Sequence, residues 1–384
     1  MRKYYLLAAI ALIFSTSCNN KERGIIDNKY AEKREIKTNE FQIKADEKTL
    51  NSYYLNTTVI DNVGNEKIIS YNYKTHALDI FDLESRNVTH LFLNTEGKDA
   101  VPTDVSGLYA STIDSIWLYS NGSIFLLDSK GVRMEKKVIN NFQTGYIITN
   151  TNYSCSTINL FYNKKRNSLF YATNVSPDSP KFYVNELSIK NNKISQYELR
   201  YPSVDFKKPS YFGWKQLPNI TFTDDYIIYN YPIESNIHRI DLETKKDLSF
   251  GGKSRFTENL CKKMDRKSGY NSAERHKIEN IHFFEINYNK SLDIYYRFHV
   301  GAAEYQNGVD FFDLYQKKHL YLMIFDNKFR IINETMLNDN RYSLINAWGS
   351  LKHGIYIYTR PQINPKTIDL ETDMMSFDII SIEK

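Results

Sequence analysis

The feature that most limits how this chain can fold is a sixfold recurrence. Short apolar strands that carry a tyrosine near the end, each entered from a polar turn, lead to Tyr71, Tyr119, Tyr171, Tyr229, Tyr295 and Tyr358. They read NEKIISY, IDSIWLY, RNSLFY, TDDYIIY, NKSLDIY and HGIYIY, at spacings of 48, 52, 58, 66 and 63 residues. A period of this size marks an array of supersecondary units, each burying its apolar face only against a neighbour. A strand precedes each tyrosine strand, at 57–61, 108–112, 158–162, 220–223, 281–286 and 344–348. Another follows and ends in an acidic-apolar signature, at 78–84, 124–130, 182–188, 237–243, 320–326 and 377–383. Five of the six units add a fourth strand, as at 88–93, 132–138 and 194–199.

The sixth unit has no fourth strand, because the sequence stops at Lys384, while Phe41-Gln42-Ile43 stands unassigned ahead of the first unit. Pairing these two leftovers closes a ring and removes a sheet edge that an open row would expose. The expected fold is therefore all-β: a six-bladed β-propeller of four-stranded blades over residues 40–384, closed by an N-terminal strand. The motif IDLET at 240–244 recurs at 368–372, which leaves the alignment of the last blade open. No stretch shows a long helical period. With 41% hydrophobic and 14% aromatic residues the chain can fill so large a core. A net charge of only +5, scattered along the sequence, excludes the basic stripe of a nucleic-acid binder.

The first residues set the compartment. Arg2 and Lys3 precede a nine-residue apolar run, Leu6 to Phe14, far short of the ~20 residues that span a bilayer. Ser15-Thr16-Ser17 then leads into Cys18. This resembles a bacterial lipobox, with Ser15 where the commonest form has Leu. The resemblance implies a signal peptide over 1–17, with acylated Cys18 as the attachment to membrane lipid. Ordinary cleavage, leaving a soluble periplasmic protein, is the alternative. Residues 18–39 are polar and mixed in charge and read as a flexible tether. Cys155 and Cys261 either pair or stay buried and separate.

Signal, tether and six four-stranded units together resemble the uncharacterised lipoproteins of Gram-negative outer membranes with TolB-like six-bladed propellers. The resemblance implies a fold and an address in the cell envelope, lipid-anchored and either periplasmic or surface-exposed. It carries over no catalytic residue.

In a propeller, the loops from fourth to first strands and from second to third strands share one rim. The long insertions fall there, at 94–107, 200–219, 251–280, 300–319 and 360–376, and long loops on a rigid scaffold are where binding residues collect. Trp214, Arg255, Arg297, His299 and Arg360 are expected to face one concavity on this rim. Aromatics beside arginines suit an anionic or carbohydrate-bearing ligand through stacking and bidentate hydrogen bonds. Catalytic and cofactor motifs are absent: Gly252-Lys253-Ser254 lacks the first glycine of a phosphate loop, since residue 247 is Asp247. His276, Glu279 and His282 stand three apart, but a strand is expected at the last, so they would not share a helix face to hold a metal. The favoured reading is a binding platform for a glycan, peptide or protein partner, with no cofactor. A hydrolase or lyase with its site at the channel mouth is the alternative, since a triad drawn from separate blades leaves no linear motif.

Overall fold

In a computed structural model, the described residues are 24–50, 54, 56–62, 64–139, 146–147, 150–152, 155–157, 160–175, 181–202, 212, 217–265, 268–339, 341–342, 348–359 and 374–383. They form a six-bladed propeller of antiparallel blades. Blades one, two and four are four-stranded sheets in chain order, over 57–92, 105–138 and 219–250. In blades three and five the innermost strand is broken in two. Tyr146–Ile147 and Phe161–Asn163 share the edge of Ser168–Asn174, and His282–Phe283 and Asn287–Asn289 share that of Ile294–Val300. Blade six consists of Trp348–Leu351, Gly354–Tyr358, Met374–Ile382 and, as its outermost strand, Ile36–Lys44 from the other end of the chain. The register sets Phe41 opposite Phe377 and Ile43 opposite Met375, and the two phenyl rings lie 5.0 Å apart.

All six recurrent tyrosines fall on the second strand of a blade. That strand packs on both faces against neighbouring blades, so Ile294–Val300 is buried at every position. The acidic end of the third strand has a local cause. Asp82, Asp128, Asp241 and Asp326 each accept two backbone N–H groups of the turn into the fourth strand, at 2.7–3.1 Å. This is how aspartate favours a tight turn.

The N-terminal segment departs from the expected tether. From Gly24 onward it is docked as a strap along blades four and five. Asn236 holds it with its carboxamide, accepting from Ile26 N and donating to Gly24 O, both at 2.9 Å. Asn28 does the same to the backbone of Lys253, at 2.6 and 2.7 Å. Residues 29–34 then run along the outer strand of blade five, where Ile331 N donates to Lys29 O at 2.8 Å and Arg34 N to Ile332 O at 3.0 Å. A Cβ on Gly251 would stand 2.3 Å from Asp27 O, so only glycine admits the strap there. The physical reason for docking is an unpaired outer edge that the strap satisfies.

Among the described residues two helices interrupt the β-pattern, α1 (Tyr270–Glu279) and α2 (Phe311–Gln316), both in rim insertions of blade five. Each is too short to show a sustained period. No helix among the described residues is long and apolar enough to cross a membrane.

Candidate functional site

The rim over blade five is built from two insertions packed on each other. Ala303 N donates to Ile278 O at 3.0 Å. Lys318 Nζ donates to the carbonyls of Lys277, Ile278 and Asn280 at 2.6–2.9 Å. A cation on these last carbonyls also complements the C-terminal end of α1's dipole. Ahead of α1 lies a tight turn. Ser254 and Asn259 exchange hydrogen bonds at 2.7 and 3.1 Å, and Ser254 Oγ accepts from Phe256 N and Thr257 N at 3.0 and 3.2 Å. The turn therefore presents Arg255 and Phe256 outward.

Beneath that turn, strand alternation places Arg297 and His299 on the same face of the second strand, with Glu334 across the sheet through Met323. Arg297 is wholly buried; its Nη2 donates to Gly252 O and lies 3.7 Å from Met323 Sδ. Its guanidinium sits 4.3 Å from the centre of the Phe283 ring. A Cβ on Gly252 would meet Arg297 Nη2 at 2.7 Å, so the glycine is what allows this approach. Among the described residues, Nε and Nη1 of Arg297, Nδ1 of His299 and Oε1 of Glu334 are buried without a hydrogen-bond partner. Burial pushes the Arg297 pKa down to about 9, with the Glu334 charge opposing. His299 is held well below its ordinary value by burial, with the Arg297 charge adding. Burial raises Glu334.

Stacked rings connect this interior to solvent. Phe283 lies on His299 at 5.3 Å, His299 on Tyr321 at 5.0 Å and Tyr321 on Phe256 at 5.3 Å, all within 28° of parallel. Phe256 is 43% exposed, and the Arg255 guanidinium lies 4.8 Å from its ring centre. Arg255 is steered by Glu334: its N donates to Oε2 at 3.1 Å and its Nη2 to the backbone O at 2.6 Å. Its side chain is still 60% exposed, leaving donors to solvent. Met336, half exposed, lies opposite Tyr321, and His319 pairs with Asp339 at 2.6 Å nearby.

Three of the five expected site residues are thus brought together, but in two layers. Arg255 is on the surface, while Arg297 and His299 lie under it and not in an open concavity, because their strand is covered on both faces by neighbouring blades. Trp214, Arg360 and Cys18 lie outside the described residues, as does the second IDLET motif. Phe212, at the edge of the same 200–219 loop, packs in one cluster with Cys261 and Ile281. Cys261 Sγ is 3.8 Å from His276 Nε2; the side chain of Cys155 lies outside the described residues. Sequence reasoning missed Phe256, Tyr321 and Glu334. Phe256 adjoins Arg255, and Tyr321 follows from aligning His299 with the next strand, but Glu334 requires a register read across three strands.

Ser254, His299 and Glu334 have the composition of a relay triad without its geometry. Ser254 Oγ at 3.0 Å and Glu334 Oε1 at 3.6 Å both approach Nε2 of His299. A relay needs nucleophile and acid on opposite ring nitrogens. The serine hydroxyl instead caps the turn. What the described rim offers to solvent is the ring face of Phe256 and the free donors of Arg255.

A family model described as a domain of unknown function, DUF4221, matches residues 34–336. The chain is similar in structure to a DUF4221 family member from Bacteroides vulgatus, with a TM-score of 0.73 and 15% identity over 94% of this chain and 99% of that one. It is also similar to a Bacteroides fragilis protein described as exported, with a TM-score of 0.55 and 12% identity over 93% and 98% of the two chains. At these identities the likeness is one of fold. No curated protein matches the sequence.

Proposed function

The chain belongs to the DUF4221 family, and we propose that it is a lipid-anchored recognition platform of the cell envelope, binding its ligand on the rim over blade five. The observation that carries this reading is the exposed Phe256 ring, backed by Tyr321 and flanked by Arg255. Such a pairing suits a glycan, or a peptide or protein partner that presents an acidic group. Stacking uses the ring's flat face, and Arg supplies planar donors to a carboxylate or phosphate. The apolar run ahead of Cys18 supports export and acylation there. The description of one structural neighbour as exported agrees with that compartment.

Cys18→Ser is expected to move the protein to the soluble fraction. Membrane retention of that variant, together with no acyl label on the natural chain, contradicts the anchor. The soluble Cys18→Ser chain then serves for titration against glycans and acidic peptides. Arg255→Ala should weaken binding by about 1–3 kcal/mol, the order of one charge-assisted hydrogen bond. Unchanged affinity in both Arg255→Ala and Phe256→Ala removes the rim as the binding face.

A further inference from the structure

The strap brings the start of the folded body to the same turn that carries the candidate site. Gly24 is bonded to Asn236, the adjoining Ser235 N donates to Asn259 O at 3.1 Å, and Asn28 is bonded to Lys253. The chain therefore enters the propeller beside the Ser254–Asn259 turn. Only six Cα steps separate Cys18 from Gly24, a span of at most about 20 Å whatever their conformation. A lipid on Cys18 would hold this edge of the rim, and not an arbitrary one, near the bilayer.

Charge on the rim is divided accordingly. Residues 251–264, beside the strap, carry Lys253, Arg255, Lys262 and Lys263 against Glu258, a net of +3. Residues 300–319, on the other insertion, carry Lys317 and Lys318 against Glu304, Asp310 and Asp313, a net of −1. Lys253 is matched by Asp27 at 2.8 Å, and Arg255 and Lys262 more loosely by Glu334 at 3.8 Å and Glu258 at 3.9 Å, while Lys263 is exposed. Phe256 adjoins Arg255 in this run, with its ring 43% exposed.

We propose that the 253–263 turn is a membrane-contact surface whose ligand is the anionic headgroup layer of the bilayer that carries the anchor. This rests on the reading of the blade-five rim as the binding face and of Cys18 as acylated. Phe256 sits at headgroup level, where an aromatic ring is at home, and Arg255, Lys262 and Lys263 meet lipid phosphates. A cation near an anionic surface contributes about 1 kcal/mol, so three make a weak contact. Anchoring makes that contact intramolecular, where weak is sufficient. The propeller then rests on its cationic edge, with the acidic insertion turned away from the lipid.

The test uses the soluble Cys18→Ser chain and co-sedimentation with vesicles of phosphatidylcholine, alone or mixed with phosphatidylglycerol. Binding is expected to the mixed vesicles only, to fall as salt rises, to drop at least about tenfold in Arg255→Glu, and to drop further in the paired variant Lys262→Glu/Lys263→Glu. The paired variant alters only exposed side chains, so it reports on binding even if Arg255→Glu disturbs the turn. A Trp at position 256 (Phe256→Trp) should be quenched by brominated lipid, whereas Phe92→Trp, at a 52% exposed site on blade one, should not. No binding to mixed vesicles, or equal quenching at both sites, overturns the proposal. Arg255-dependent binding of a soluble glycan or peptide without vesicle binding removes the lipid inference and leaves the recognition reading intact. Absence of every binding activity removes both. Acyl labelling of Cys18 reports on the anchor independently.

Discussion

Two seams of the propeller bury charge between their elements, and they do so in opposite ways. Where the closing strand hands over to blade one, the wholly buried Asp79 accepts from the Tyr54 hydroxyl, from Asn72 Nδ2 at 2.8 Å and from Leu50 N at 3.4 Å. Its other oxygen meets His90 Nδ1 at 2.7 Å, and His90 Nε2 reaches Asp46 at 3.0 Å. At the seam of blades four and five, Arg297 has one carbonyl and a thioether for its guanidinium, and two of its nitrogens have no partner among the described residues. Glu334 and His299 likewise each leave one atom unmatched. A buried charge is therefore no sign of function by itself. The satisfied cluster reads as a clasp that joins the ends of the ring. The unsatisfied one lies under a surface turn whose backbone and side chains it positions.

The largest effect that can break this comparison comes from removing the clasp's own strand. Deleting residues 19–44 should cost most of a folding free energy of ~5–15 kcal/mol, because blade six loses its outer strand. Deleting 19–35 leaves that strand in place and should cost less. Equal thermal unfolding of the two contradicts closure by the N-terminal strand.

Next in size are single substitutions of opposite sign. Asp79→Ala strands Tyr54, Asn72 and His90 together and should destabilise by about 3–5 kcal/mol. Arg297→Met keeps a long apolar stem and discards a buried charge opposed only by Glu334, which retains Arg255, so it should be neutral or mildly stabilising. Arg297→Ala leaves a cavity instead and should destabilise. Chemical denaturation of the three variants gives the ordering. A large loss in Arg297→Met would mean that the two seams are alike.

The smallest effect is the pH dependence carried by His90 in the clasp. Burial works against a charge on His90, but hydrogen bonds and charges from Asp79 and Asp46 outweigh it, so its pKa is raised in the folded protein. Asp46 is lowered to about 2: burial opposes this, and bonds from His90 and Thr49 outweigh it. The stabilisation from His90 is fully present below its unfolded pKa of about 6.5 and is lost as pH rises through the raised folded value. His90→Gln should thus lose most stability relative to the natural chain below about pH 6.5, with the difference shrinking as pH rises through the raised folded value. A difference that grows with pH has the wrong sign for this clasp.

Most of the architecture was legible because it is periodic. Tyr71 to Tyr358 mark second strands, and Asp82, Asp128, Asp241 and Asp326 mark the turns after third strands, each by a contact local to one hairpin. The strap was not legible. Asn28 and Asn236 grip backbone more than 200 residues away, and a carboxamide on a distant peptide group has no sequence period. The candidate site was half legible. Arg255, Arg297 and His299 were visible as unusual residues near one rim, but strand alternation does not say whether a face meets solvent or another blade. His299 meets Tyr321 and Phe283, so it belongs to the stack below the surface and Phe256 to the surface itself.

Hydrogen exchange of the full chain, with and without vesicles containing phosphatidylglycerol, separates the two seams in one measurement. The predicted result is protection gained across 253–263 and its support at 319–321, with no change across 46–50 and 77–92. Protection confined to the clasp, or spread evenly over both seams, would contradict the assignment of the blade-five rim as the working face.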